Sequence, residues 1–506
     1  MTLGATLTET PTLIKSVGIP CESLKSLNLV DTTITAAETV GPGWVSPQVV
    51  GQVTVDIPMC RVAGTVSPSI NFEVWMPLTN GDHPWNGRFN GVGNSGLAGS
   101  IAYASMLVAL EKGYATASTD TGHQGSSTSD GTWMRDHPEL LSDFSYRAVH
   151  MMTRDAKAII QAYYGQAPQY SYFTGCSGGG EEALAEVQRY PADYNGLVAG
   201  APANYRTHSW PGEFWPAYVT NRSAANALPE EKLTVIHQAA LAACDATDGV
   251  TDGVISNPLA CTFDPSVLLC QGADGPDCLT AGELDSLKLI YAGLKDPGTH
   301  EQFWPGLEPG SELGWYTTGS LLPKPFVLSL DYFKDLIFAT NPAWDWRTFD
   351  ITDPKDFASL TDAVARYGPA LDINDPDLSA FRALGGKLIL YHGWADQQIT
   401  PQNSINYYKR VVLYMGGETA TQEFMRLFMV PAMRHCGLDE NATRFDALEA
   451  VQKWVEQRTV PVQMIASNVV NGVVQRTRPL CPFPQVAKYS GTGSTDDFKN
   501  FVCAAP

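Results

Sequence analysis

The sequence predicts an α/β protein with a mainly parallel sheet, split by a large insertion. Three observations predict it. Short buried strands alternate with amphipathic helices up to about residue 206. That rhythm stops between 207 and 380, where Pro, Gly, Trp and Asp are frequent and at most six stretches read as helix. It resumes at GGKLILYHGWAD (385–396). Strand–helix alternation of this kind builds a sheet covered by helices, with active residues expected at strand C-termini. The expected organisation is one α/β domain from 1–206 and 381–506, interrupted by a second domain at 207–380.

The elements follow in order. From Val45 to Leu78, alternating apolar residues broken by Pro and Gly read as short strands. RFNGVGNSGLAGS is an apolar stretch running into a glycine-rich turn, and 101–113 carries Leu and Met on one helical face. GYATASTD (113–120) is a small-residue strand with a polar tip. YRAVHMMTRDAKAIIQAYYG is an amphipathic helix closed by Gly165. YSYFTG is the next strand, Gly178–Tyr190 the next helix, and LVAGAPA (197–203) another buried strand. After the insertion come the strand LILYHG, a helix, the strand FMRLFMVP and the helix FDALEAVQKWVEQ. The closing segment reads as loop-rich and stapled by cysteines.

Bulk composition bounds the function. Hydrophobic residues make up 44% and charged residues 17%, which argues for a packed globule against disorder. The net charge of −20 repels nucleic acid and anionic lipid, so neither is an expected partner. No apolar run approaches the roughly 20 residues of a membrane helix. The first residues, MTLGATLTETPTLIKSVGIP, lack a basic start and an apolar core, so no signal peptide is read there. The ten cysteines include no zinc-type spacing. Paired disulfides and a secreted or periplasmic protein are the expectation.

The chemistry centres on Gly175-Cys176-Ser177-Gly178-Gly179. A serine on a sharp strand-to-helix turn, flanked by glycines, is a nucleophile elbow. Tyr172–Gly175 supplies the strand and Gly178 onward the helix. An elbow serine needs a base, and the base needs an acid to fix its tautomer. Asp396 and His435 each follow a strand, after the serine and in the order acid, then base. The expected roles are Ser177 as nucleophile, His435 as proton carrier and Asp396 as its orienter. The oxyanion would take one N–H from Gly178 and a second from the Gly93-Asn94-Ser95-Gly96 turn, at Ser95 or Gly96. Ser177 and His435 must meet at roughly 3 Å. Their neighbours Cys176 and Cys436 would then lie near the roughly 5.5–6 Å Cα separation of a disulfide. Functional geometry thus selects that pair from the ten cysteines.

Cys176-Ser177, Asp396 and His435-Cys436 resemble the catalytic set of the tannase and feruloyl esterase family. So do WNGRF (85–89), STDTGH (118–123), YRAVH (146–150), FTGCSGGG (173–180), YPADYNGLVAGAPA (190–203), GGKLILYHGWAD and the FDALEAVQKWVE helix. The likeness spans nearly the whole chain and is weakest in the insertion. It implies an α/β-hydrolase fold with a lid domain, and hydrolysis of esters of aromatic acids. It also implies a structural Ca2+ in the lid. CDATDGVTDGV (244–254) offers Asp245, Asp248 and Asp252 with the carbonyls of Val250 and Val254. Such oxygens suit a hard cation, although the spacing departs from the EF-hand. The resemblance further implies that the remaining cysteines pair as Cys244–Cys261, Cys270–Cys278, Cys21–Cys60 and Cys481–Cys503. One departure stands out: family members often carry a basic residue just after the elbow, where this chain has Glu181-Glu182.

The resemblance leaves several acids open. Feruloyl-type esters, including plant cell-wall and polyphenol esters, are the expected substrates. Gallate esters (tannase) and a terephthalate half-ester are the alternatives. The half-ester would need a cation, for which Arg206, Arg222 and Arg347 exist. Phe326, Tyr332, Phe333, Trp344 and Trp346 either stack on an aromatic acid or form lid core. His392 either faces the pocket or packs at its strand end. Acyl transfer shares the same acyl-enzyme as hydrolysis. A calcium-stabilised, non-catalytic binding protein is the reading from another class, and the complete Ser, Asp and His set argues against it.

Overall fold

The computed structural model describes residues 18–47, 51–125, 127, 129–317, 320–437 and 443–506. Most of the N-terminal stretch read for a signal, and the end of the loop after Cys436, lie outside the described residues.

Nine strands form the central sheet: β1 (Thr32–Val40), β2 (Met59–Val66), β3 (Ile70–Pro77), β4 (Arg88–Val92), β5 (Ala115–Thr119), β6 (Tyr170–Cys176), β7 (Gly196–Gly200), β8 (Lys387–Gly393) and β9 (Met425–Val430). Their order is β1-β2-β3-β5-β4-β6-β7-β8-β9. The β1–β2, β2–β3 and β3–β5 pairs are antiparallel. From β5 to β9 every pairing is parallel. With helices linking them, the parallel strands are buried on both faces, which is why they read as apolar runs.

Alternation along each strand divides the core in two. Phe173 of β6 and Leu388 of β8 face one side. There they meet Met152, Ala156 and Ile159 of α2 (Ala148–Tyr164) and Leu184 and Val187 of α3 (Gly178–Arg189). Tyr172 and Ile389 face the other side. They meet Met106 and Leu110 of α1 (Tyr103–Glu111) and Val451 and Trp454 of α9 (Ala447–Gln457). Period-two strands and period-3.6 helices thus bury matching stripes.

Between β7 and β8 the chain turns helical: α4 (Arg206–Asn221), α5 (Glu230–Cys244), α6 (Ala281–Ala292) and α7 (Pro354–Leu371). Helix α8 (Gln402–Tyr414) follows β8. The inserted helices have a core of their own, with Trp210, Phe214, Trp315, Tyr332 and Phe333 fully buried. Leu97, Ala98, Trp133 and Phe144 join that core from the sheet side, so the insertion sits on the loops that follow β4 and β5.

Two elements differ from expectation. Strand β1 goes unread in the sequence because it is an edge strand: only Ile34 and Val40 of its nine residues are buried. The closing segment is β structure, not loop. Met464–Val470 pairs with Val473–Leu480, and Val486–Tyr489 with Phe501–Ala504. Its strands are largely half-exposed and show no clean alternation. Among the described residues, no helix is long and apolar enough to cross a membrane.

Candidate active site

Three parallel strands, β6, β8 and β9, end at the proposed centre, with β7 between the first two. Ser177 follows β6 directly with φ +63° and ψ −121°, a conformation an L-residue adopts only under constraint. The constraint is visible. Ser177 N–H donates to Gly200 O (2.9 Å), and Ala203 N–H donates to Ser177 O (3.0 Å). Helix α3 starts immediately and packs hard against the strand. A Cβ on Gly175 would stand 2.2 Å from Gly179 O, and one on Gly180 would stand 2.3 Å from Gly200 O. Only glycine permits either approach.

The turn after β4 lies across the elbow. Gly179 N–H donates to Asn94 O (2.7 Å). Asn94 is fixed by Glu182, whose carboxylate accepts its backbone N–H (2.9 Å) and its amide (3.3 Å). Burial pushes the Glu182 carboxyl up to about 7, although the Asn94 donors oppose the shift. Gly178 opens α3, so its N–H has no partner within the helix. The Gly96 backbone lies beside Gly178: a Cβ there would be 3.3 Å from Gly96 O and 3.7 Å from Gly96 N. Ser95 precedes Gly96, and its carbonyl accepts Ala98 N–H (3.0 Å).

Asp396 is fully buried. Its Oδ1 accepts the N–H groups of Gln398 and Ile399, both at 2.9 Å. Its Oδ2 lies 2.8 Å from His435 Nδ1 and 3.2 Å from His392 Nε2. Burial alone would raise this carboxyl. The charge of His435 and the two histidine donors outweigh burial and hold it well below the usual range. With Nδ1 committed to Asp396, Nε2 is the imidazole nitrogen left for proton transfer. His435 N–H also donates to Gln397 Oε1 (3.3 Å). Cys436 has φ +56° and bonds to Cys176, with their Cα atoms 6.0 Å apart. The residues beside Ser177 and His435 are therefore joined covalently. The other four expected disulfides form as well: Cys21–Cys60, Cys244–Cys261, Cys270–Cys278 and Cys481–Cys503.

The candidate pocket residues are buried. Tyr332 and Phe333 are fully buried, and Phe326 nearly so, in the core of the insertion. Tyr332 packs on Trp210 (4.7 Å) and Phe333 stacks on Trp344 (5.7 Å). His392 is also fully buried. Its Nδ1 is 2.7 Å from Ser404 Oγ, and its Nε2 is 2.9 Å from Ile399 O and within reach of Asp396. It supports the acid from behind. Of the three arginines considered for a substrate carboxylate, Arg222 pairs with Asp285 and Arg347 with Asp345. Arg206 pairs with buried Glu181 and stands over the rings of Phe144 and Trp210. Its Nη2 would be 3.2 Å from a Cβ on Gly178, so this guanidinium borders the elbow.

A cavity of about 690 Å3 opens between the insertion and the loops carrying Asp396 and His435. His237, Ile255, Leu313, Trp394 and Arg434 are among its walls. It flanks the acid and base, and Ser177 does not line it.

The aspartate loop is built around Asp245, whose oxygens accept the N–H groups of Asp252 (3.1 Å) and Gly253 (2.9 Å). Asp248 accepts Val250 N–H and Ser256 Oγ–H. Burial, then the charge of Asp252, raises its carboxyl. Asp252 Oδ2 accepts from Arg476 and Arg478, while its Oδ1 is buried without a partner. An orphaned carboxylate oxygen beside a second carboxylate fits a cation. Asp245, Asp248 and Asp252 with the carbonyls of Val250 and Val254 are the residues that would hold it.

The family described as tannase and feruloyl esterase matches residues 48–504. The chain belongs to that family. It is a carboxylic ester hydrolase of the feruloyl esterase and tannase type. This esterase is 37% identical to an uncharacterized esterase of Xanthomonas campestris pv. campestris, over 99% of this chain and 93% of the relative. It is 32% identical to feruloyl esterase C of Talaromyces stipitatus, over 97% and 93%. The crystal structure of feruloyl esterase B from Aspergillus oryzae superposes with a TM-score of 0.84 at 28% identity, covering 96% of this chain and 99% of that one. These likenesses settle the α/β-hydrolase-like fold with its extra domain.

Sequence reading missed the supporting contacts of this esterase. The Asn94–Glu182 and Arg206–Glu181 contacts join residues 88 and 25 positions apart. The one signal available was the acidic pair Glu181-Glu182 where a base is usual. One of these acids anchors the turn after β4, and the other holds an arginine brought in from α4.

Proposed function

We propose that this esterase hydrolyses esters of hydroxycinnamic-type acids through an acyl-enzyme on Ser177. The observation that carries it is the Asp396–His435 pair at 2.8 Å, tied to the strained elbow through Cys176–Cys436. The names of its relatives, feruloyl esterases B-2 and C, support the acid class.

Ser177 Oγ attacks the acyl carbon while His435 Nε2 takes its proton. The charge developing on the carbonyl oxygen meets the N–H of Gly178 and that of Ser95 or Gly96. The acyl–oxygen bond breaks, and His435 returns the proton to the departing alkoxide. Water then attacks the acyl carbon with His435 as base. The aromatic acid leaves and Ser177 regains its proton. Asp396 holds the imidazole tautomer and stabilises its cation throughout.

Residues 207–380 act as a lid over the elbow. Asp245, Asp248, Val250, Asp252 and Val254 would hold Ca2+, which would stiffen that lid and leave the reaction to the serine, histidine and aspartate. Five disulfides suit an exported protein that meets cell-wall or polyphenol esters outside the cytosol.

The test compares turnover of methyl ferulate, methyl gallate and mono(2-hydroxyethyl) terephthalate by the pure protein. Methyl ferulate should lead, with Ser177→Ala inactive and a fluorophosphonate labelling Ser177 in the wild type. Fastest turnover of gallate or of the half-ester would reassign the acid. Absence of turnover on all three, with no labelling, would overturn the mechanism.

A further inference from the structure

We propose that His150, Glu186 and Asp193 form a binding site for a divalent transition ion such as Zn2+, on the helix that carries the elbow. One ligand atom from each residue lies within 4.8 Å of the others. The three come from separate elements: His150 from α2, Glu186 from α3, and Asp193 from the loop leading to β7.

Glu186 decides the matter. It is 1% exposed, and no N–H or hydroxyl donor reaches either carboxylate oxygen. A carboxylate removed from water without donors is unstable unless it is neutralised or coordinated. Asp193 stands beside it and adds like charge. The local cation is Lys157, whose ammonium donates to the backbone carbonyl of Asp193. One ammonium against two carboxylates leaves the cluster negative. Burial, followed by the charge of Asp193, pushes the Glu186 carboxyl well up in the metal-free protein.

The imidazole is already aimed. His150 stacks flat on Tyr190, with ring centroids 3.8 Å apart and planes 5° apart. Its Nδ1 is 2.6 Å from Asp193 Oδ2. One imidazole nitrogen and two carboxylates are a donor set for zinc or manganese. Calcium prefers oxygen alone, which separates this site from the aspartate loop at 245–254. Entry is open: the His150 and Asp193 side chains are 29% and 17% exposed. An open groove lined by Lys157 and Asp193 borders the cluster at Asp193. Glu186 lies nine residues beyond Ser177, about two and a half turns along the helix. An ion here would brace that helix against α2 without touching substrate.

The full chain, stripped with a chelator and returned to calcium buffer, would be titrated with Zn2+. Heat of binding and the unfolding midpoint would be read for wild type, Glu186→Gln and His150→Ala. Wild type should bind one Zn2+ with a rise in midpoint. Each variant should bind at least tenfold more weakly and lose that rise, while keeping its response to calcium. No zinc-dependent heat or midpoint shift in wild type would overturn the site, as would variants that bind like wild type. Should a variant fail to fold, zinc-edge anomalous diffraction from wild-type crystals decides. A peak among the three residues is expected, and its absence would refute the site.

Discussion

At the residue scale, the centre is organised around what Asp396 receives. Two backbone N–H groups hold one carboxylate oxygen, and two histidines meet the other. His392 is the less obvious of the two. Its Nδ1 faces the Ser404 hydroxyl, which fixes Nε2 as the side that turns to Asp396. In the proposed mechanism His392 is a positioning residue, since it touches neither substrate nor Ser177. Its Nε2 lies between Ile399 O (2.9 Å) and Asp396 Oδ2 (3.2 Å), so replacing it with leucine removes a donor shared by a backbone carbonyl and a buried charge. A hydrogen bond to a charged group is worth about 1.5–3 kcal/mol, or roughly 10- to 150-fold in rate if all of it is spent in the transition state. His392→Leu should therefore lower kcat by about one to two orders of magnitude with KM little changed. His392→Gln keeps an N–H donor and should recover much of the loss. Equal losses in the two variants, or a change confined to KM, would show that His392 acts by packing alone. Asp396 and His435 were legible in the sequence because each follows a strand in the order an elbow serine requires. The contact from His392 was not, because it depends on how residues 393–396 turn back after the strand.

At the element scale, the elbow and the base loop belong to strands that are distant in sequence and meet only through the sheet. Cys176–Cys436 closes that distance across 260 residues. Both bonded turns hold a residue at positive φ, Ser177 and Cys436. The link therefore fixes two constrained loops against each other. Misplacing a base by about 1 Å can cost about 100-fold in rate. The double replacement Cys176→Ala and Cys436→Ala should lower kcat by about that factor in protein whose far-UV and near-UV circular dichroism stay native. Full activity in folded double variant would reduce Cys176 to a small residue in a tight turn. This pairing could be read from sequence because proposed catalysis itself brings the two cysteines together. Strands β4 to β9 were legible for a related reason: burial on both faces leaves continuous apolar runs between helices of clear period. Strand β1 and the C-terminal strands lie half in solvent, where alternation fades and pairing depends on partners far along the chain.

At the scale of the whole molecule, the insertion is attached at more than its two ends. Leu97, Trp133 and Phe144 from the sheet side share its core. On its other flank, Asp252 of the aspartate loop is held by Arg476 and Arg478 of the strand Val473–Leu480. The insertion thus bears on both the loops around the elbow and the C-terminal strands. Composition and rhythm put the expected boundaries near 207 and 380; α4 starts at Arg206 and β8 at Lys387. They gave no sign of the C-terminal contact, because the arginines sit in a segment that reads as loop. The proposed Ca2+ lies at that junction. Without it, Asp252 Oδ1 stays buried and unpaired beside Asp248. With it, loop, insertion and C-terminal strands share one charged cluster. An ion bound only by the folded state stabilises by about 2.7 kcal/mol at 100 times its Kd. Chelation should therefore lower the unfolding midpoint, and Ca2+ should restore it more effectively than Mg2+, which holds its water tightly and demands octahedral geometry. Asp252→Asn weakens both the cation site and the arginine contacts. Arg478→Gln weakens the contacts while leaving all the proposed ligands in place. Loss of the calcium response in Asp252→Asn and its retention in Arg478→Gln is the expected pattern. A midpoint indifferent to chelator in the wild type would remove calcium from the junction and leave the arginines to hold it alone.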